Sequence, residues 1–246
     1  MNVRAADILV GYRSEDGKWH EAPLGRVDPE RVIAGIPVRE SVWVRGQRHY
    51  SGWYWSSTMR RQLAYESRLE LARMMVADIN PNVTGIAGQP FRLKGPDGGR
   101  VRKTVPDLLL RYADGGFTVV EVKNPQRISR PKVQAQLGWI RQVCALNGWG
   151  FEAWPGADAR LLANIRFLAG YRRPGLIDAA AAADVLTAAR KPTAIGSIEQ
   201  CLTGSYPQAL ILPAVLHLLW TGRLAADLTE PLGVTTIVRL TEADAA

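Results

Sequence analysis

"VPDLLLRYADGGFTVVEVK", residues 105–123, is the stretch on which the fold turns. Two apolar runs, 108–110 and 119–120, flank Asp114-Gly115-Gly116. That tripeptide favours a tight reversal, because glycine takes positive φ without steric cost. The stretch reads as a β-hairpin. Strand periodicity then puts Val119, Glu121 and Lys123 on one face, with Val120 and Val122 on the other. A register set by this turn brings Asp107, near the start of its strand, beside Glu121 or one pair away. Two carboxylates on adjacent strands offer oxygen ligands to a hard divalent cation. A lysine two residues on can orient water and neutralise charge at a reacting phosphate. Phosphodiester hydrolysis needs those parts. The same residues also suit a cross-strand charge pair that only stabilises a hairpin.

Working outward, Thr58 predicts the cap of a helix over 60–79, with Leu69, Ala72, Val76 and Ile79 facing a core. Glu66 and Glu70, four apart, would project from a similar side, so that either can supply a third carboxylate. Asn80-Pro81 ends that helix. "VTGIAGQPFRL" (83–93) is strand-like, a helix is expected over 131–146, a strand in "GWGFEAW" (148–154) and a helix in "ADARLLANIRFLAGY" (157–171). This order predicts an α/β domain with a mixed sheet over 41–171. Residues 1–40 form an N-terminal segment with no assigned role. Arg172-Arg173-Pro174-Gly175 reads as a boundary. Beyond it, helices at 178–190, 196–203 and 207–221, then short strands in "GRLAADL" and "TTIVRL", predict a small winged-helix-like domain over 175–246.

Charge is unevenly spread. The net charge is +8, and residues 51–150 hold 15 Lys and Arg against 7 Asp and Glu. A basic excess around candidate metal ligands suits a polyanionic partner. Arg45, Arg48, Arg60 and Arg61, interleaved with Trp53, Tyr54 and Trp55, are candidate DNA contacts, as are Arg127, Arg130 and Lys132 after the second hairpin strand. Large aromatics are more often buried, so the Trp residues are expected mainly in packing. The C-terminal 46 residues hold two Arg against four acidic residues, and an apolar helix. That part is expected to pack on the preceding α/β domain or bind protein rather than grip DNA.

Several classes drop out. The three histidines are far apart, without partners at zinc-ligand spacing. "GPDGGR" (95–100) lacks the Lys-Ser/Thr of a nucleotide loop. The longest apolar stretch, 209–220, contains Pro213 and His217 and is too short to span a bilayer. Arg4 and Asp7 interrupt any leader, and the cysteines Cys144 and Cys201 show no disulfide or metal pattern. The expectation is a soluble cytoplasmic protein with no membrane partner.

"SRLELA" (67–72), "VTGIAGQPFRL" (83–93), "VPDLLL" (105–110) and "VVEVK" (119–123) together resemble the TnsA-like endonuclease subunit of heteromeric cut-and-paste transposases, a branch of the PD-(D/E)xK nucleases. The resemblance spans about residues 50–170 and extends to a winged-helix-like tail. It implies a restriction-endonuclease-like mixed sheet flanked by helices, Mg²⁺ as cofactor with Mn²⁺ substituting, and cleavage of the 5′ strands at transposon ends in double-stranded DNA. It implies an RNase-H-like transposase subunit and an ATPase regulator as partners. Matched position by position, Glu70 is the helical carboxylate, Asp107 the central metal ligand, Glu121 the next ligand with the Val122 carbonyl beside it, and Lys123 the catalytic lysine. Gln89 falls on the family's glutamine position, and Glu66 is a rival to Glu70. Where the family often carries an amide, this chain carries Glu121. A stand-alone restriction or repair nuclease with the same chemistry, and a non-catalytic assembly subunit, are the alternatives.

Overall fold

A computed structural model describes residues 4–39 and 50–242. The chain is a mixed α/β protein that divides into two compact units, Met1–Asp78 with Asn82–Gly156, and Ile79–Pro81 with Ala157–Ala246. The first unit closes at Gly156, upstream of the expected boundary at 172–175, so the helix of 157–171 belongs to the second unit. Residues 1–40 fall within the first unit.

The first unit runs β1 (Leu9–Arg13), β2 (Trp19–Pro23), α1 (Pro29–Ala34), β3 (Gly52–Ser56), β4 (Arg61–Tyr65), α2 (Arg68–Asp78), β5 (Val83–Gly88), β6 (Arg92–Asp97), β7 (Arg100–Thr104), β8 (Leu108–Tyr112), β9 (Phe117–Val122), α3 (Pro125–Ile128), α4 (Pro131–Leu146) and β10 (Gly150–Trp154). The hairpin forms as read. β8 and β9 pair antiparallel, Leu108 opposite Val120 and Arg111 opposite Phe117. Gly115 takes φ +81° at the turn, and Gly116 N donates to Asp114 Oδ1 at 2.8 Å. β5 joins β8 antiparallel and β10 joins β9 parallel, giving a mixed four-stranded sheet in the order β10-β9-β8-β5.

Around this sheet the structure departs from the reading in three places. "VTGIAGQPFRL" splits into β5 and β6, which lie in different sheets, and β6 joins β1 and β7 in a second four-stranded sheet in the order β2-β1-β6-β7. The N-terminal segment is therefore structural. Its Ile8, Val10, Tyr12, Leu24, Val32 and Ile33 share one core with Leu109 of β8, Val119 of β9 and Trp139, Ile140, Val143 and Cys144 of α4. The helix expected over 60–79 begins only at Arg68. Residues 61–65 instead form β4, paired with β3, and Glu66 precedes the helix. The reason is local. Thr58 N donates to Asp78 at the far end of α2 rather than capping a helix of its own. Ser67 Oγ accepts from Glu70 N at 3.1 Å and opens the helix there. α2 is buried nearly all round, through Ala72, Met74, Met75 and Ala77, whereas the expected core residues Leu69 and Val76 are half-buried.

The second unit contains α5 (Ala159–Leu168), α6 (Ala179–Ala188), β11 (Thr193–Ala194), α7 (Ile195–Leu202), α8 (Gln208–Trp220), β12 (Leu224–Ala225) and β13 (Ile237–Leu240). The expected helices and ribbon are present, with β11 as an added strand that makes a three-stranded sheet in the order β11-β13-β12. The apolar α8 is explained within the unit, because it packs on α5, α6, α7 and β12 and buries Ile211, Ala214, Val215, Leu216, Leu218, Leu219 and Trp220. Among the described residues, no helix is long and apolar enough to cross a membrane.

Candidate active site

The hairpin register, continued by one pair past Leu108 and Val120, sets Asp107 opposite Glu121. On the other side of Asp107, the β5–β8 register continued past Gly88 and Leu108 reaches Gln89, whose N–H donates to Asp107 O at 2.9 Å. Gln89, Asp107, Glu121 and Ala153 thus form one row across four strands. Three members of that row carry polar side chains.

Lys123 ties the row together. Its Nζ lies 2.6 Å from Glu121 Oε2 and 3.1 Å from Asp107 Oδ2, and donates to Val122 O at 3.2 Å. Asp107 Oδ2 also accepts from Val122 N at 2.6 Å, which fixes the carboxylate across the hairpin. Two carboxylates and a main-chain carbonyl therefore converge on one cationic group. Glu121 is 1 % exposed, and its Oε1 has no hydrogen-bond partner. Oxygens of this kind are the donors a hard divalent cation takes, and here they surround the Lys123 ammonium. Among the described residues, no three His, Cys, Asp or Glu side chains gather around a single point, so the converging donors are these two carboxylates and the Val122 carbonyl.

Electrostatics follow from burial. Desolvation by burial pushes Glu121 well up from the ordinary carboxylate range, and the charge of Asp107 adds to this. Lys123 and Arg39 pull it back down. Lys123 is itself held above its usual value by the two carboxylates, which outweigh its own desolvation. Cys144 of α4 is pushed up to about 12, by burial first and by the charge of Glu121 second.

Glu70 stands apart from the lysine cluster. It is 8 % exposed, and burial raises it to about 7, with the charge of Asp107 a further upward influence. Its carboxylate accepts from Glu66 N at 2.9 Å and Ser67 Oγ at 2.9 Å, at the start of α2. The Ser67-x-x-Glu70 spacing is a capping signature that the sequence displayed. Glu66 precedes α2, and its carboxylate lies 3.7 Å from Arg39. Arg39 is the residue that sequence reasoning missed. It bears on Glu121 and lines, with Trp53, Arg61 and Gly88, a groove of about 440 Å³. No spacing or motif in the sequence marks it.

Gln89, at the family's glutamine position by resemblance, has an unusual backbone. Its φ of +46° lies in the left-handed region, where a non-glycine residue is strained by about 1–2 kcal/mol. It is 2 % exposed, and neither Nε2 nor Oε1 of its carboxamide has a partner.

The candidate DNA contacts divide. Arg61 is committed elsewhere, donating to Ala34 O at 2.7 Å and Ile33 O at 2.6 Å at the end of α1. Its role is to cap that helix. Arg60, Arg127, Arg130 and Lys132 are exposed. Arg45 and Arg48 lie outside the described residues. Of the aromatics, Tyr54 is buried, Trp55 half-buried and Trp53 63 % exposed. No protein-family model matches the chain, and no curated protein matches it either.

Proposed function

We propose that the chain is a divalent-cation-dependent endonuclease that cuts double-stranded DNA, with its reacting centre at Asp107, Glu121 and Lys123. The observation that carries this reading is the convergence of Asp107 Oδ2, Glu121 Oε2 and Val122 O on Lys123 Nζ, beside a buried Glu121 oxygen with no partner. The order α2, β5, β8, β9, α4, β10 around a mixed sheet supports a restriction-endonuclease-like fold. In the second unit, α6, β11, α7, α8 and the β12–β13 ribbon support a winged-helix-like domain.

Asp107, Glu121 and the Val122 carbonyl would hold Mg²⁺, with Mn²⁺ as a substitute and Glu70 as the outlying carboxylate. When bound, the cation supplies charge stabilisation at the phosphate and lowers the pKa of water. Lys123 supplies the remaining electrostatic stabilisation. Its ammonium sits between both carboxylates and neutralises charge that develops on phosphoryl oxygens. Glu70, raised to about 7, accepts a proton readily at neutral pH. Burial keeps water away from Glu121, strengthening these interactions.

DNA would approach over the exposed Arg127, Arg130 and Lys132. The first turn of α4 carries no acidic residue, and two of these cations flank its N-terminus, an arrangement stabilised by a phosphate there. By its resemblance to transposon-end nucleases, the protein acts in the cytoplasm with an RNase-H-like transposase subunit and an ATPase regulator, cutting the 5′ strands.

The test is a nicking assay on duplex DNA carrying transposon ends, with and without Mg²⁺ and with and without the transposase. The expected result is Mg²⁺-dependent 5′-strand cutting only when both are present. Equal cutting without the partner transfers the reading to a stand-alone restriction or repair nuclease. No cutting under any of these conditions contradicts a nuclease of either kind and leaves an assembly subunit.

A further inference from the structure

Gln89 combines three features that rarely coincide in a residue that serves only the fold. Its backbone is in the left-handed region at φ +46°, where glycine or asparagine is the usual occupant. Its side chain is buried, and both carboxamide atoms lack a partner. Its main chain is nevertheless anchored on both sides, with N donating to Asp107 O at 2.9 Å and O accepting from Val38 N at 3.0 Å. The strained backbone is thus held by well-formed bonds, and the ladder sets Gln89 next to Asp107 in the row. Strained conformations and orphaned polar groups persist where a site demands them. Asn164, another buried amide, shows the contrast: its Nδ2 donates to Leu228 O and Glu230 O.

We propose that Gln89 is a positioning residue for the cation at Asp107, its carboxamide oxygen accepting from a water of the cation's hydration shell. This rests on the cation reading given above. Carboxamides hold the shell of hard cations well, since Mg²⁺ keeps several waters and each needs an acceptor. Outer contacts of this kind orient the ligands and sharpen affinity. The alternative occupant of the Gln89 amide is a structural water that serves only the core.

The experiment is thermal unfolding and calorimetric Mn²⁺ titration of the full chain and of Gln89→Met, which preserves length and volume and removes both hydrogen-bonding atoms. Mn²⁺ affinity in Gln89→Met is expected to fall about ten-fold. The cation-free melting temperature is expected to stay equal or rise, because two unpartnered polar atoms have gone. A second variant, Gln89→Glu, keeps the acceptor oxygens and is expected to retain most of the affinity. Unchanged Mn²⁺ affinity in Gln89→Met, with a lower cation-free melting temperature, assigns Gln89 to the fold and overturns the proposal. If the natural chain itself binds no Mn²⁺, the cation reading fails and the Gln89 assignment falls with it.

Discussion

Asp78 and Glu121 are carboxylates buried to a similar degree in the same unit, yet their surroundings differ in kind. Asp78 Oδ2 accepts from Tyr54 Oη at 2.7 Å, Ser57 N at 2.9 Å and Ser57 Oγ at 3.1 Å, while Oδ1 accepts from Ser56 Oγ at 2.6 Å and Thr58 N at 2.8 Å. Every donor is neutral, and each oxygen is satisfied. The result locks the end of α2 to the turn after β3. Glu121 has one oxygen on Lys123 and one with no partner, and it neighbours a strained glutamine two strands away. A carboxylate saturated with hydrogen bonds is accounted for by the fold, whereas a buried oxygen left without a partner calls for another explanation.

If that contrast is right, substitutions should separate along it. Lys123→Ala is expected to lower Mg²⁺-dependent cleavage by about 10³-fold, the loss of a cation preorganised at the phosphate, while the folded state persists. Comparison of single-turnover rates with circular dichroism checks both halves. Asp78→Ala should do the reverse. It removes the acceptor of three hydroxyls and two N–H groups, and should lower stability by about 3–5 kcal/mol in denaturant melts, with cleavage per folded molecule little changed.

The smallest expected effect concerns pH. Glu70 and Glu121 are both raised above their ordinary value of 4.5, so between about pH 4.5 and 7 the folded state binds more protons than the unfolded chain. Their contribution to stability is therefore greatest at low pH and is lost as pH rises through this window. Without divalent cation, the natural chain should lose melting temperature from pH 5 to pH 8 more steeply than Glu121→Gln does. Equal slopes would show that burial of Glu121 carries no proton linkage.

The legible parts of the sequence were those with short-range causes. The hairpin was readable because Asp114-Gly115-Gly116 fixes a turn between two apolar runs. Helix α4 appeared at its expected bounds because its apolar residues recur at helical spacing. What stayed hidden depended on distant partners. Residues 61–65 looked helical until β3 paired with them, and the N-terminal segment had no visible role because its sheet partners, β6 and β7, lie some eighty residues away. Near the candidate site, strand period and turn put Glu121 and Lys123 on one face and Asp107 beside Glu121 or one pair away; the structure sets Asp107 directly opposite Glu121. Arg39 could not be placed this way, since only the folded chain brings it near Glu121. Arg61 looked like a phosphate ligand by its charge, but the carbonyls of α1 claim it.

The most direct measurement compares Asp107→Ala with the natural chain in two assays run together, Mn²⁺ binding by calorimetry and cleavage of duplex DNA with Mg²⁺ and the transposase present. Asp107 contacts both Lys123 Nζ and Val122 N, so its removal dismantles the cluster at its centre. The expected result is loss of both cation binding and cleavage in a chain that still unfolds cooperatively. Cleavage at the natural rate by Asp107→Ala would contradict the assignment of the site.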